Sequence, residues 1–98
     1  MVTHIVLFQV REGTDAAALG AVANALAALP TKIVGIVDFA WGANSSPQGL
    51  GQGYEHGFVM AFESVAARDA YLTHPAHTAV VPLIETVAER VLVFDLER

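Results

Sequence analysis

Apolar residues alternate along four segments of this chain that are rich in β-branched and aromatic residues, which predicts four strands. In the first segment His4, Val6 and Phe8 share one face, while Ile5 and Leu7 share the other. Both faces are therefore largely apolar, as in a strand that is covered on both sides. The predicted strands span residues 2–10, 32–42, 54–62 and 90–96.

Two stretches between the strands have the helical period instead. The first begins after Thr14, a residue type suited to the N-cap, and runs to Leu29, which precedes a proline. The second begins after Ser64 and breaks at Pro75, because the residue before a proline is pushed out of helical geometry. A further helical piece is predicted over residues 76–88.

The predicted order of elements is β-α-β-β-α-β within a single domain of residues 1–98. Antiparallel pairing and right-handed crossovers give this order a four-stranded sheet with helices on one face. That is the ferredoxin-like α+β fold. Because the other face is also apolar, we expect two copies to pack sheet against sheet into a dimeric α/β barrel, a homodimer.

Composition narrows the classes of partner. The chain is 54% hydrophobic, has a net charge of −5 and contains no cysteine. Five scattered basic residues make no stripe, so we expect no nucleic acid partner, and there is no disulfide framework or cysteine nucleophile. The longest apolar run, residues 16–29, is shorter than the ~20 residues that a membrane span needs. Without a signal-peptide pattern, we expect a cytoplasmic protein without a membrane partner.

Chemistry-bearing side chains concentrate between residues 53 and 77, where three of the four histidines and both tyrosines lie. The chain there forms a predicted strand, a tight junction, a helix and a proline turn, so it runs along the sheet and returns. We therefore expect His56 and the turn from His74 to His77 to meet around one cavity. A small apolar ligand suits such a cavity.

His77 is the candidate general base, and Tyr71 is its candidate partner. If His74 caps the last helix and Pro75 begins it, His77 lies in the first turn, where the helix dipole favours the neutral imidazole. The Tyr71 hydroxyl can then donate to a carbonyl oxygen that becomes an enolate. The alternatives are a histidine that holds the turn by a backbone hydrogen bond and a tyrosine that only packs on the sheet.

Two further histidines are candidates for binding the substrate. We assign His56 to the pocket with the aromatic side chains of Trp41 and Phe58. The first and third strands are antiparallel neighbours in the predicted sheet, so His4 should lie ~20 Å from His56. On that geometry His4 belongs beside Asp95 of the last strand. The spacing of the histidines fits no metal site, so we expect neither a metal nor a cofactor.

Several motifs together resemble the stress-responsive dimeric A/B barrel (Dabb) family. The likeness spans nearly the whole chain, and its most specific part is the run from Tyr71 to His77. The motifs are His4 before an apolar strand, Trp41-Gly42, Gly53-Tyr54-x-His56, Phe62-Glu63-Ser64, Tyr71-x-x-His74-Pro75-Ala76-His77 and Phe94-Asp95.

The resemblance implies both a fold and a chemistry. Within this family, a plant polyketide cyclase uses a tyrosine and a histidine for an intramolecular aldol condensation, and these residues match Tyr71 and His77. Two more pocket histidines of that cyclase match His4 and His56. Its first helix carries bulky side chains, whereas the first helix here is rich in alanine.

Three functions are compatible with these features. The first is a cofactor-free cyclase or related proton-transfer enzyme that acts on a small carbonyl compound. The second is a non-catalytic stress protein that binds a small apolar ligand. The third is a cofactor-independent monooxygenase, because other dimeric α/β barrels have that activity. Whether the protein is an enzyme stays open at this point.

Overall fold

Four strands and three helices follow one another in the predicted order. A computed structural model describes residues 1–98. The strands form one antiparallel sheet in the order β2-β3-β1-β4, so the predicted ferredoxin-like α+β fold is confirmed. The elements are β1 (Val2–Val10), α1 (Ala16–Ala27), β2 (Ile36–Ala43), β3 (His56–Phe62), α2 (Val65–Thr73), α3 (Pro75–Val87) and β4 (Ala88–Glu97).

The core lies between the sheet and the helices. Alternate residues of β1, including His4, are buried on this face, as the period of two in the sequence predicts. They meet buried side chains of β3 and of all three helices. Principal members of the core are Val6, Phe8, Phe58, Met60, Phe62, Val22, Leu26, Tyr71 and Val80.

The opposite face of the sheet, called the open face below, carries Ile5, Leu7, Val59, Leu92 and Phe94. Phe94 is 56% exposed and Leu92 is 40% exposed, although both are large apolar side chains. The open face is therefore the apolar surface that the sequence analysis assigned to a second copy of the chain. None of the helices is both long enough and apolar enough to cross a bilayer.

The first helix is shorter than predicted at both ends. Asp15, and not Thr14, is the N-cap, because its carboxylate accepts a hydrogen bond from the Ala18 amide at 2.8 Å. The helix ends at Ala27, and Leu29–Thr31 forms a separate 3-10 turn that contains the proline. The predicted end of the helix, Leu29, was too late. The proline belongs to a separate 3-10 turn, so the α-helix does not have to continue up to it.

The second strand starts at Ile36, four residues after the predicted start at Lys32. Gly35 has a φ of +99°, which an extended strand does not allow and which favours glycine. A register shift between Ile36 and Asp38 then adds one residue to β2. As a result Ile36 faces the core, while Val37 is 53% exposed. Simple alternation continued back from the rest of β2 would have put Val37 on the core face and Ile36 on the opposite face.

Candidate functional site

The length of α2 determines which strand residues the functional turn meets. Ser64 begins the helix by accepting a hydrogen bond from the Ala67 amide at 3.1 Å. The nine residues to Thr73 rise only about 12 Å. The seven residues of β3, along which α2 returns, cover about 20 Å. The turn after α2 is therefore opposite the middle of the sheet and does not reach the start of β3.

His74 joins α2 to α3, as predicted from the sequence. It is extended, with a φ of −67° and a ψ of 134°, and its Nδ1 accepts a hydrogen bond from the Ala76 amide at 3.0 Å. Pro75 is the first residue of α3, so His77 lies in the first helical turn. Nδ1 of His77 is 3.2 Å from the carbonyl oxygen of Leu72, to which it donates when the ring is neutral. Nε2 of His77 is then the basic nitrogen.

His4, Tyr71 and His77 form a central cluster. The ring centroids of Tyr71 and His77 are 4.2 Å apart, and those of His4 and Tyr71 are 5.9 Å apart. Phe62 packs against Tyr71 with 4.9 Å between ring centroids. Tyr71 is 1% exposed and His4 is 5% exposed. Two of the three titratable rings are thus nearly dry, and the third, His77, is half-buried.

Burial changes the proton affinity of two members of the central cluster. It raises the pKa of Tyr71 to about 12, so the phenol keeps its proton at neutral pH. It also lowers the pKa of His77, and the nearby His4 acts in the same direction. The hydrogen bond to the Leu72 carbonyl opposes these effects without cancelling them. Both rings therefore favour their uncharged forms.

The third member, His4, is held by a carboxylate from β4. Nδ1 of His4 is 2.6 Å from Oδ1 of Asp95, so the predicted pairing of these two residues is confirmed. Arg68 of α2 donates to Oδ2 of Asp95 at 2.7 Å. Burial alone would raise the pKa of Asp95, but the hydrogen bonds from His4 and Arg68 outweigh it and lower the pKa.

Sequence reasoning missed Arg68. A signal for it exists, because Arg68 and Tyr71 are three residues apart and so share one face of α2. An arginine on the face that carries the candidate tyrosine should find an acidic partner nearby, since an unpaired charge beside a core is costly. Asp95 was already assigned to the neighbourhood of His4. The two observations together would have led to the three-residue network.

The prediction that His56 meets the His77 turn is wrong. In the sheet His56 is paired with Phe8, whereas His4 is paired with Met60. Four residues along β1 therefore separate the two histidines, or about 13 Å. The ring of His56 contacts Trp41 instead, with 6.1 Å between centroids. The two histidines are separated, as predicted, but by about 13 Å rather than ~20 Å. His4, and not His56, is the histidine that joins Tyr71.

The predicted pocket residues Trp41, His56 and Phe58 line a cavity of about 680 Å³ under the β2–β3 loop. Its lining contains no charged side chain, and it includes neither Tyr71 nor His77. Nδ1 of His56 is buried without a hydrogen-bond partner. Phe58 also contacts His4, with 6.0 Å between ring centroids. Other lining residues include Leu7, Ala40, Asn44, Gln48, Leu50, Gln52, Tyr54, Gly57, Val59 and Leu92.

The sequence matches the family described as the Stress responsive A/B Barrel Domain over residues 2–98. It is similar to the stress-response A/B barrel domain-containing protein HS1 of Arabidopsis thaliana, with 32% identity over 94 residues that cover 96% of this chain and 86% of that protein. It is also similar to olivetolic acid cyclase of Cannabis sativa, with 33% identity over 58 residues that cover 59% of this chain and 57% of the cyclase.

Among solved structures, a dimeric ferredoxin-like protein of unknown function from Jannaschia sp. CCS1 has a TM-score of 0.83 and 26% identity, covering 99% of this chain and 98% of that one. The arrangement of helices and strands is therefore shared with that solved protein. By its match to the family over residues 2–98 and its similarity to HS1, the chain belongs to the stress-responsive A/B barrel (Dabb) family.

Proposed function

We propose that this protein is a cofactor-free acid–base catalyst that acts on a small, largely apolar carbonyl compound of the polyketide kind. His77 is the base, and Tyr71 is the hydrogen-bond donor to the reacting oxygen. The contact between these two rings, with centroids 4.2 Å apart, carries the proposal. The similarity to olivetolic acid cyclase supports a cyclisation among the possible proton-transfer reactions.

His77 is suited to take a proton from a carbon beside a carbonyl group. Burial lowers its pKa, so the imidazole is neutral at neutral pH. Its Nδ1 is engaged with the Leu72 carbonyl, which leaves Nε2 as the acceptor of the proton. A neutral imidazole with one nitrogen fixed and the other free is the arrangement that general-base catalysis uses.

Tyr71 is suited to stabilise the enolate without ionising. Its pKa of about 12 means that the hydroxyl donates a hydrogen bond to the developing oxyanion and keeps its proton. The enolate carbon then bonds to a second carbonyl carbon of the same molecule, and the new alkoxide takes the proton back from His77. Protons and electrons balance over these steps, and no oxidant or reductant is required.

The charges around the central cluster favour an uncharged reacting group. Arg68, the cation beside it, already donates to Asp69 at 2.8 Å and to Asp95 at 2.7 Å. The side chains that pack around the rings include the apolar Phe58 and Phe62. A ketone or an ester carbonyl suits these surroundings better than a phosphate or a carboxylate does.

Turnover of a linear β-polyketide analogue, followed as product formed, tests the proposal. We expect His77→Gln to abolish turnover while circular dichroism stays that of the wild type. His74→Asn is the matched control, because it changes a histidine of the same turn and keeps a residue type that caps helices well. Full activity of His77→Gln would exclude His77 as the base.

A second candidate function is the binding of an apolar ligand without catalysis. The observation in its favour is that the cavity of about 680 Å³ is lined by Trp41, His56 and Phe58 but not by Tyr71 or His77. Trp41 is the single tryptophan, so its fluorescence reports directly on this cavity. A ligand that changes Trp41 emission equally in the wild type and in His77→Gln, without being converted, would favour this function.

The homodimer is part of the proposal. The exposed apolar open face supports it, and so does the dimeric state in the description of the Jannaschia protein. Leu7 and Leu92 belong both to the open face and to the cavity lining, so a second copy would border the cavity. Phe94→Asp should give a monomer in light scattering. Val34→Asp is the control, because Val34 is 92% exposed outside the sheet.

A further inference from the structure

A pair of glycines forms part of the floor of the cavity under the β2–β3 loop. Gly42 and Gly57 are paired across β2 and β3, and both line the cavity. Gly57 is two residues before Val59 on β3 and is paired with Leu7 on β1, which in turn is paired with Leu92 on β4. Because side chains alternate along a strand, these residues all belong to the open face. The cavity therefore borders the surface that is assigned to a second copy of the chain.

The two glycines differ in the space beside them. A Cβ at Gly57 would lie 2.8 Å from the Leu7 side chain and 2.8 Å from the Val6 carbonyl oxygen, so a side chain does not fit there. A Cβ at Gly42 would meet no atom within 4 Å. The chain thus leaves room beside Gly42 that its own side chains do not fill.

Hydrogen bonds from two amide side chains hold the β2–β3 loop over this floor. Nδ2 of Asn44 donates to the carbonyl oxygen of Tyr54 at 3.2 Å. Nε2 of Gln9, on β1, donates to the carbonyl oxygen of Gln52 at 3.0 Å. The first bond joins the two ends of the loop, and the second ties the loop to the sheet. The loop is therefore held in place without a ligand.

The lining of the cavity favours a small uncharged molecule. The volume of about 680 Å³ is within the range of roughly 300–1,000 Å³ that is usual for ligand sites. Apolar side chains such as Trp41 and Leu50 are accompanied by the amides of Asn44, Gln48 and Gln52, and no charged side chain lines the cavity. An apolar ring or chain that carries a hydroxyl or carbonyl group suits these surroundings, because the amides offer both donors and acceptors.

A single chain leaves the apolar lining of this cavity open to water. Leu50 is 70% exposed, Val59 is 41% exposed and Leu92 is 40% exposed. Ligand sites bury about 70–90% of the surface of a small molecule, so part of the cover is missing. Phe94, two residues after Leu92 on β4, continues the apolar surface beyond the cavity and is 56% exposed. A second copy that packs on Phe94 would also cover the cavity.

We infer that the cavity is a binding site for a small uncharged molecule and that it is complete only when a second copy of this chain covers it. This inference rests on the homodimer of the proposed function. It does not depend on Tyr71 or His77, because neither residue lines the cavity. A ligand in the covered site contacts both copies, so ligand binding and dimerisation strengthen each other by the same factor.

N-Phenyl-1-naphthylamine, an uncharged fluorescent aromatic amine, is a suitable probe. Trp41 lines the cavity and is the single tryptophan, so energy transfer from Trp41 to the probe reports binding near it. Sedimentation velocity gives the dimer fraction at the same protein concentrations. On dilution of the wild type, the amount of probe bound per chain should fall along the same curve as the dimer fraction. Saturating probe should lower the dissociation constant of the dimer by about fivefold or more.

Phe94→Asp removes the second copy without changing the cavity, because Phe94 does not line it. We expect a monomer with the circular dichroism of the wild type that binds the probe about tenfold more weakly or worse. Val34→Asp is again the control and should change neither dimerisation nor probe binding. If monomeric Phe94→Asp binds the probe as tightly as the wild-type dimer, the cavity is complete in one chain and the inference is wrong. Tighter binding by the monomer would mean that the second copy blocks the cavity, which also contradicts the inference.

Gly42→Leu tests whether the probe occupies this cavity. The leucine enters the space beside Gly42, so probe binding should be lost. Gly20→Leu is the matched control, because Gly20 is on α1 and a Cβ there also meets no atom within 4 Å. Gly20→Leu should bind the probe as the wild type does. If Gly42→Leu binds it equally well, the probe lies elsewhere and the inference is wrong.

These measurements separate the inference from the proposed function. A wild type that is monomeric at every concentration would overturn the homodimer and the inference together. A dimer that does not bind the probe, or binds it no better than the monomer does, overturns the inference alone. His77→Gln should bind the probe normally, so a lack of turnover beside intact coupling overturns only the catalytic proposal. The dilution series on the wild type decides the question if Phe94→Asp does not fold.

Discussion

His4 and His56 lie on neighbouring strands, point to the same face of the sheet and nevertheless have opposite surroundings. His4 is 5% exposed, paired with Asp95 and enclosed by Phe58, Phe62 and Tyr71. His56 borders an open cavity, and its buried Nδ1 has no partner. The difference follows from where α2 ends, because a nine-residue helix covers only part of the strand beneath it. The surroundings of a side chain on this face of the sheet are therefore fixed only where a helix covers it.

Below, the covered end of the sheet is the end at His4, and the open end is the end at His56. The largest effect that should distinguish them is the loss of the Tyr71 side chain. Tyr71 is 1% exposed and packs against Phe62, His4 and His77. We expect Tyr71→Ala to lower the free energy of unfolding by about 3–5 kcal/mol, as other large-to-small aromatic substitutions in cores do. Urea denaturation followed by circular dichroism measures this loss.

Tyr71→Phe is the control for that substitution. The hydroxyl of Tyr71 makes no hydrogen bond within the chain, and burial is the only cause of its raised pKa. Removing the oxygen should therefore change stability by less than about 1 kcal/mol, since no partner is left unpaired. If Tyr71→Phe costs as much as Tyr71→Ala, packing of the ring is not what holds the central cluster together.

The next effect in size comes from His4→Leu, which removes an imidazole but keeps an apolar side chain. Asp95 would then keep only Arg68 as a partner at a partly buried position. We expect a loss of about 2–3 kcal/mol in the free energy of unfolding, because a charged acceptor loses one of its two hydrogen bonds. In His4→Leu combined with Asp95→Leu the loss should be smaller than the sum of the two single losses. Strict additivity in this double-mutant cycle would contradict the coupling of the pair.

Much of the covered end could be predicted because it depends on local rules. Alternation along β1 put His4 on the face of Val6 and Phe8, and antiparallel order put Asp95 opposite it. The capping role of His74 follows from its position before a proline. These features depend on a few consecutive residues and on the sheet order, so a single sequence contains them.

The open end could not be predicted because it depends on lengths that must be compared across elements. The order of the elements predicts that the chain returns along the whole length of the sheet, which would place His56 beside His77. A helix, however, rises less than half as far per residue as a strand, so the return is incomplete. The extra residue in β2 between Ile36 and Asp38 was also missed, because a bulge has no fixed signature in the apolar pattern.

Titration of Tyr71 should distinguish the dry cluster from an exposed one. Burial raises its pKa from the ordinary 10.0 to about 12. The folded protein binds this proton more tightly than the unfolded chain does, so the associated stability is complete below pH 10 and is lost as the pH rises through about 12. The absorbance at 295 nm, taken as wild type minus Tyr71→Phe, should follow this ionisation. A midpoint near pH 10 while circular dichroism still reports a folded chain would mean that water reaches the phenol.

The smallest effect should come from His56→Leu, the counterpart of His4→Leu at the open end. Nδ1 of His56 already lacks a partner, so its removal leaves no other polar group unpaired. The leucine side chain would extend the uncharged lining beside Trp41 and Phe58. We expect the free energy of unfolding to change by less than about 1 kcal/mol, in either direction, in the same urea experiment. A loss as large as that of His4→Leu would mean that His56 has a polar partner in the folded state, and the contrast between the two histidines would then be one of location alone.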